Sequence, residues 1–115
     1  MTTRKLVEYL DKHGNSPFGR WISRLNADAA ARITTALYRM EQGNLSNAKS
    51  VGSGVFEYKV DFGPGYRIYF GQDGKVLVIL LNGGTKQRQH LDIEYARELW
   101  ADYKARKKGG INSWH

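Results

Sequence analysis

Between residues 55 and 70 apolar and polar side chains alternate one by one. In "VFEYKVDF" (55–62) Phe56, Tyr58, Val60 and Phe62 share one parity, and Glu57, Lys59 and Asp61 share the other. A two-residue period is the signature of a strand with one face on a core. The corner Gly63-Pro64-Gly65 leads into "YRIYF" (66–70), where Tyr66, Ile68 and Phe70 extend the apolar face and Arg67 and Tyr69 turn away. A three-residue loop pairs Phe62 with Tyr66 and Asp61 with Arg67; a two-residue loop would set Phe62 against Arg67 and mix the faces, so the first register is expected. It also sets Lys59 opposite Tyr69. A third strand, "KVLVILL" (75–81), follows "GQDG", whose Asp73-Gly74 reads as a two-residue hairpin turn. That turn pairs Phe70 with Leu77, Ile68 with Ile79 and Tyr66 with Leu81. Val78 and Leu80 are then expected to be exposed, on the face of Arg67 and Tyr69.

The period changes to the helical one on either side of this meander. "RKLVEYL" (4–10) reads as a first strand and "KHGNSP" (12–17) as a turn. Ser16 before Pro17 is an N-cap followed by proline at the first helical position. Phe18, Trp21, Ile22 and Leu25 form the stripe of that helix. Asn26 caps a second helix with Asp28 in its first turn, a stripe of Ala29, Ile33, Ala36, Leu37 and Met40, and Gly43 as its stop. Residues 43–54 and 82–91 read as loops. Asp92 is expected to cap a last helix over 93–108, ending in the basic "KARKK", and residues 109–115 to form a disordered tail. The expectation is one α+β domain over 1–115: an antiparallel meander sheet with an N-terminal helical hairpin and a C-terminal helix.

The chain of 115 residues is long enough for one domain with a small core. It has no cysteine, which excludes disulfides and thiolate metal sites. Neither a signal-peptide pattern nor an apolar run of membrane-spanning length occurs, so a cytoplasmic protein without a membrane role is expected. Eighteen Lys and Arg against 11 Asp and Glu give a net charge of +7. Such an excess on a small domain favours an anionic partner, nucleic acid first. The face carrying Glu57, Lys59, Asp61, Arg67 and Tyr69 admits two readings. Asp61 and Arg67 can form a cross-strand ion pair worth about 0.2–1 kcal/mol, or the cations and the aromatic can grip phosphates and stack a base. Three scattered histidines, His13, His90 and His115, give no metal site, and no cofactor is expected.

"GNLSNAKSVGSGVFEYKVDFGPGYRIYF" and "LVILLNGGTKQRQHLDIEYA" resemble toxins of the RelE/ParE superfamily, and within it the phage-associated addiction module killer proteins. The likeness spans roughly residues 16–105 and is carried by "GPGYRIYF", the "GGTKQRQ" loop and the "DIEYA" helix start. It implies the toxin of a type II toxin–antitoxin module, with a ribosome-dependent mRNA endoribonuclease activity that needs no metal. It implies mRNA on the ribosome and a cognate antitoxin, a small helix-turn-helix protein, as partners. Arg67 matches the family's charge-stabilising arginine. Lys59 matches a basic position that more often holds arginine, and Lys86 a basic residue in the loop after the last strand. Glu57 is then the candidate base and Tyr69 a candidate proton donor or stacking ring, with Gln87, Gln89 and His90 as candidate substrate contacts. The exposed Val78 and Leu80 would be covered by the antitoxin. Arg20, Arg24 and Arg39 read as solvated helix faces. Two alternatives remain open: a non-enzymatic poison of DNA gyrase, which the same superfamily contains, and a basic RNA-binding phage protein.

Overall fold

Two side-chain caps set the first two helices. Ser16 Oγ accepts the Gly19 amide at 2.9 Å, and Pro17, with no N–H to leave unpaired, opens α1 (Pro17–Ser23). Asn26 Oδ1 accepts the Ala29 amide at 2.9 Å and opens α2 (Ala27–Glu41). The computed structural model describes residues 3–113, with side chains through Lys108. Ahead of the helices stands β1 (Lys5–Glu8). After them come β2 (Ala48–Ser50), β3 (Val55–Val60), β4 (Tyr66–Asp73), β5 (Leu77–Thr85), a 3₁₀ turn at Lys86–Arg88 and α3 (Gln89–Ser113).

The strands form one sheet in the order β1-β5-β4-β3-β2. β1 runs parallel to β5 and every other pairing is antiparallel. The α+β class is therefore as the pattern indicated, with two additions to the meander. β2 lies within what reads as a loop, and β1 joins the sheet on its far side. α1 and α2 bury Phe18, Ala29, Ile33 and Met40 against Tyr58, Ile68 and Phe70 on one face. α3 buries Ala96, Leu99 and Trp100 against Val55, Tyr69, Ile79 and Leu81 on the other. Burying these side chains contributes roughly 1.5–3 kcal/mol for each large one.

Both registers differ from the expected ones. β3 and β4 pair Lys59 with Arg67 and Glu57 with Tyr69, two residues away from the alignment expected from the Gly-Pro-Gly corner. A shift of two preserves parity, so Glu57, Lys59, Arg67 and Tyr69 still share a face. The turn after β4 holds three residues (74–76), not two, and pairs Asp73 with Leu77. That odd shift exchanges the faces of β5. Val78 and Leu80 lie beneath the helical hairpin, at 0% and 3% exposure, so the exposed apolar patch expected of them does not exist. A β-bulge then sets Leu81 between two ladder pairs, Phe70 with Leu80 and Tyr69 with Asn82. Leu81 and Asn82 consequently both face α3, and Gly84 comes opposite Arg67.

α3 begins three residues before the expected cap, which places Asp92 inside its first turn. It continues through Ser113, past the point where a tail was expected to begin at 109, so "KARKK" is not its last turn. Residues 114 and 115, and with them His115, lie outside the described residues.

Candidate functional site

The site grows from the α3 side of β3 and β4. Glu57 projects there at 2% exposure, and a carboxylate so far from water needs partners. It has four. Its Oε2 accepts the Tyr69 hydroxyl at 3.1 Å and the Gln89 side-chain amide at 2.8 Å. Its Oε1 faces Arg67 Nε at 3.8 Å and Lys49 Nζ at 3.8 Å, close enough to pair in charge but too long for hydrogen bonds. One carboxylate oxygen is thus saturated by neutral donors. The other looks onto two cations and retains its capacity to accept.

Arg67 is 5% exposed, and its Nε is buried without a hydrogen-bond partner among the described residues. Its Nη1 donates to the Gly65 carbonyl at 3.3 Å. The same carbonyl accepts the Lys86 backbone amide at 2.8 Å, which ties the 3₁₀ turn to the corner before β4. Gly65 has φ +80°, a left-handed conformation that glycine takes without penalty, and a Cβ there would stand 3.1 Å from Arg67 Nη1. The "GPG" corner therefore does more than reverse the chain: it fixes the guanidinium and the start of the Lys86 turn with one peptide group.

The face that holds Arg67 is not the open one expected from the strand pattern. α3 covers it because the helix packs Ala96, Leu99 and Trp100 onto the same side of the sheet as Tyr69. Tyr69 is fully buried, so its ring has no surface on which a base could stack, and it lies on the opposite face from Val78. Burial and the neighbouring Glu57 push its phenol well above the ordinary range, so it remains a neutral O–H donor to Glu57. Lys59 stands directly opposite Arg67 but points into solvent, 3.6 Å from Asp61, and pairs with neither Glu57 nor Arg67. The expected Asp61–Arg67 pair is replaced by these two, because the register moved by two.

Of the loop candidates, only Gln89 enters the cluster. Gln87 is exposed, and His90 lies on the outer side of α3 at 86% exposure, 3.3 Å from Glu94. Lys86 is exposed beside the Gly65 corner, within side-chain reach of the cluster's mouth. Two participants carry no signal in the sequence pattern. Lys49 lies in a strand three residues long, too short to show a period. Asn82 reaches this face only through the bulge, and its amide donates to the Asp92 carbonyl at 3.1 Å.

No family model matches the chain. An uncharacterized protein of Haemophilus influenzae is 45% identical to it over 83 residues, 71% of this chain and 84% of that protein. The two belong to one family. Among the described residues of this family member, no helix is long and apolar enough to cross a membrane. The cluster brings together a carboxylate with a free accepting oxygen, a fixed guanidinium and the Lys49 ammonium, with Lys86 exposed at the neighbouring Gly65 corner. That arrangement can hold a phosphodiester and remove a proton beside it.

Proposed function

We propose that the protein is a RelE/ParE-like toxin that cleaves mRNA on the ribosome, with Glu57 and Arg67 at the centre of the reaction. The observation that carries this reading is the Glu57 carboxylate, saturated on Oε2 and open on Oε1 beside Arg67 Nε. In the reaction Oε1 takes the proton of a ribose 2′-OH as that oxygen attacks the adjacent phosphorus. The P–O5′ bond breaks, leaving a 2′,3′-cyclic phosphate and a 5′-hydroxyl. Arg67 stabilises the charge on the phosphoryl oxygens, a task its planar, always charged fork suits. Lys59 and Lys86 hold the flanking strand. The leaving oxygen takes its proton from the carboxyl of Glu57 or from water. A cognate antitoxin would act by covering the mouth of this cluster.

The test is primer extension on mRNA in a translating extract. Wild type is expected to produce new 5′ ends, and Glu57→Gln and Arg67→Ala to lose about 100-fold or more in rate. Because Arg67 is buried, its variant can fail by unfolding. Lys59→Ala and Lys86→Ala change exposed side chains and are expected to slow cleavage while melting like wild type. Unchanged cleavage in the Glu57 and both lysine variants would refute the reading.

One observation favours a second reading. Glu57 and Arg67 are nearly inaccessible and neutralise each other, as a purely structural pair would. The protein would then act by binding alone, as a gyrase poison or an RNA-binding protein. Growth arrest with intact mRNA and a DNA-damage response would identify the gyrase poison. RNA binding without toxicity would identify the binding protein.

A further inference from the structure

A second cleft of about 440 Å³ lies at the edge of β5. β1 pairs with β5 only as far as Leu80, so the strand beyond it is not covered by a neighbour on that side. α1 closes the cleft on one face of the sheet and the first turns of α3 on the other. Two glycines make this possible: a Cβ on Gly83 would run into the Trp21 ring, and one on Gly84 into the Asp92 carboxyl.

The polar groups in the cleft are arranged for a ligand. Arg20, Arg24 and Arg88 line it and are exposed. Among the described residues, none of the three donates a side-chain hydrogen bond or forms an ion pair. Between them lie two buried acceptors with no hydrogen-bond partner, Asn82 Oδ1 and Asp92 Oδ2. Asn82 is 3% exposed, and such an orphaned group costs free energy until a donor meets it. A ligand that presents clustered N–H donors at one end and negative charge at the other would complement these groups, and the cleft is of ordinary ligand size.

We propose that this cleft binds a guanine nucleotide, either free or within an RNA strand. Guanine offers N1–H and the exocyclic N2 amino group on one edge, two donors that a single carboxylate accepts together. The second N2 hydrogen is left for an amide oxygen such as that of Asn82. Adenine presents one donor beside an acceptor nitrogen on its corresponding edge, which would set a lone pair against the carboxylate. Trp21 and Tyr95 supply aromatic walls for the base, and the three arginines supply charge for the phosphate. The inference does not rest on cleavage: the cleft borders the Glu57–Arg67 cluster through Asn82 but does not include Glu57 or Arg67, and it is tested by binding alone.

The experiment is calorimetric titration of the full chain with guanosine 5′-monophosphate, adenosine 5′-monophosphate and two short RNAs that differ by one G-to-A change. The guanine ligand is expected to bind about tenfold tighter or more than its adenine counterpart. Arg24→Ala should weaken the mononucleotides alike, and Asp92→Asn should abolish the preference. Preference among the RNAs but no mononucleotide binding identifies a guanine read within a strand, and preference among the mononucleotides identifies a free nucleotide; both support the proposal. Equal affinities within each pair, or no saturable binding to any ligand, overturn it. Should a variant fail to fold, guanosine monophosphate added to wild type must shift the NMR signals of the Trp21 indole and the Asn82 amide. Shifts confined to Lys59 and Lys86 would overturn the proposal as well.

Discussion

Glu57 and Arg67 each offset part of the cost of burying the other's charge. Removing Arg67 leaves a carboxylate at 2% exposure with Lys49, at 3.8 Å, as the cation remaining beside it among the described residues. Arg67→Ala is therefore expected to cost about 3–5 kcal/mol in urea denaturation. The double variant Glu57→Gln, Arg67→Met keeps an acceptor for Tyr69 and removes both charges. It should cost less than the sum of its single changes by about 1 kcal/mol or more. Asp92 is the reverse case. Burial raises its carboxyl above the ordinary value, against the weaker opposing pull of Arg88. A raised acid is harmless when protonated and penalises the fold as pH climbs through its folded pKa. Asp92→Asn should accordingly melt higher than wild type at pH 7, and the gap should close toward pH 3. Asp92 thus lowers stability where it stands, which is in keeping with a role in the cleft rather than in the core.

α3 is held along its second half by two aspartates that belong to different contacts. Asp102 accepts the Tyr9 hydroxyl at 2.5 Å and Arg106 Nε at 2.8 Å. Asp73, at the end of β4, accepts Tyr103 at 2.7 Å and Lys107 at 2.6 Å. The Tyr9 bond holds Asp102 below the usual carboxylate range, and the Lys107 bond does the same for Asp73. A lowered acid contributes stability above its unfolded pKa and loses it as pH falls through the folded one. The outer half of α3 should therefore lose amide protection, corrected for intrinsic exchange, below about pH 4. Asp73→Asn should already show part of that loss at pH 7. Apart from the Asp102–Arg106 pair, four residues apart on the helix, these ties were not legible in the sequence, because they join residues 30 to 93 positions apart. The caps at Ser16 and Asn26 were legible, since each cap and its partner lie three residues apart. β3 and β4 were legible in parity, because one face of β3 is polar. β5 was not: "VLVILL" is apolar on both parities, and a strand buried on both faces leaves no alternation to fix its register.

The whole molecule measures 47 × 31 × 25 Å and carries a net charge of +7. If Lys49, Lys59, Lys86 and one or two arginines meet phosphates, those four or five contacts release about three to four counterions on binding single-stranded RNA. Affinity should then fall roughly 50- to 130-fold between 50 and 200 mM salt in a filter-binding titration. A change of less than about threefold would show that the charge does not carry the contact. The chain's own pattern determined the class of fold, the start of two helices and which side of β3 and β4 holds Glu57, Lys59, Arg67 and Tyr69. These depend on neighbours one to four positions away, and the sequence records such periods directly. The tertiary structure alone decided that α3 covers that face, that a bulge brings Asn82 and Gly84 onto it, and that Lys49 joins from a separate strand. Each depends on packing between segments far apart in the chain, where many arrangements share the same local pattern and only the shared core selects one.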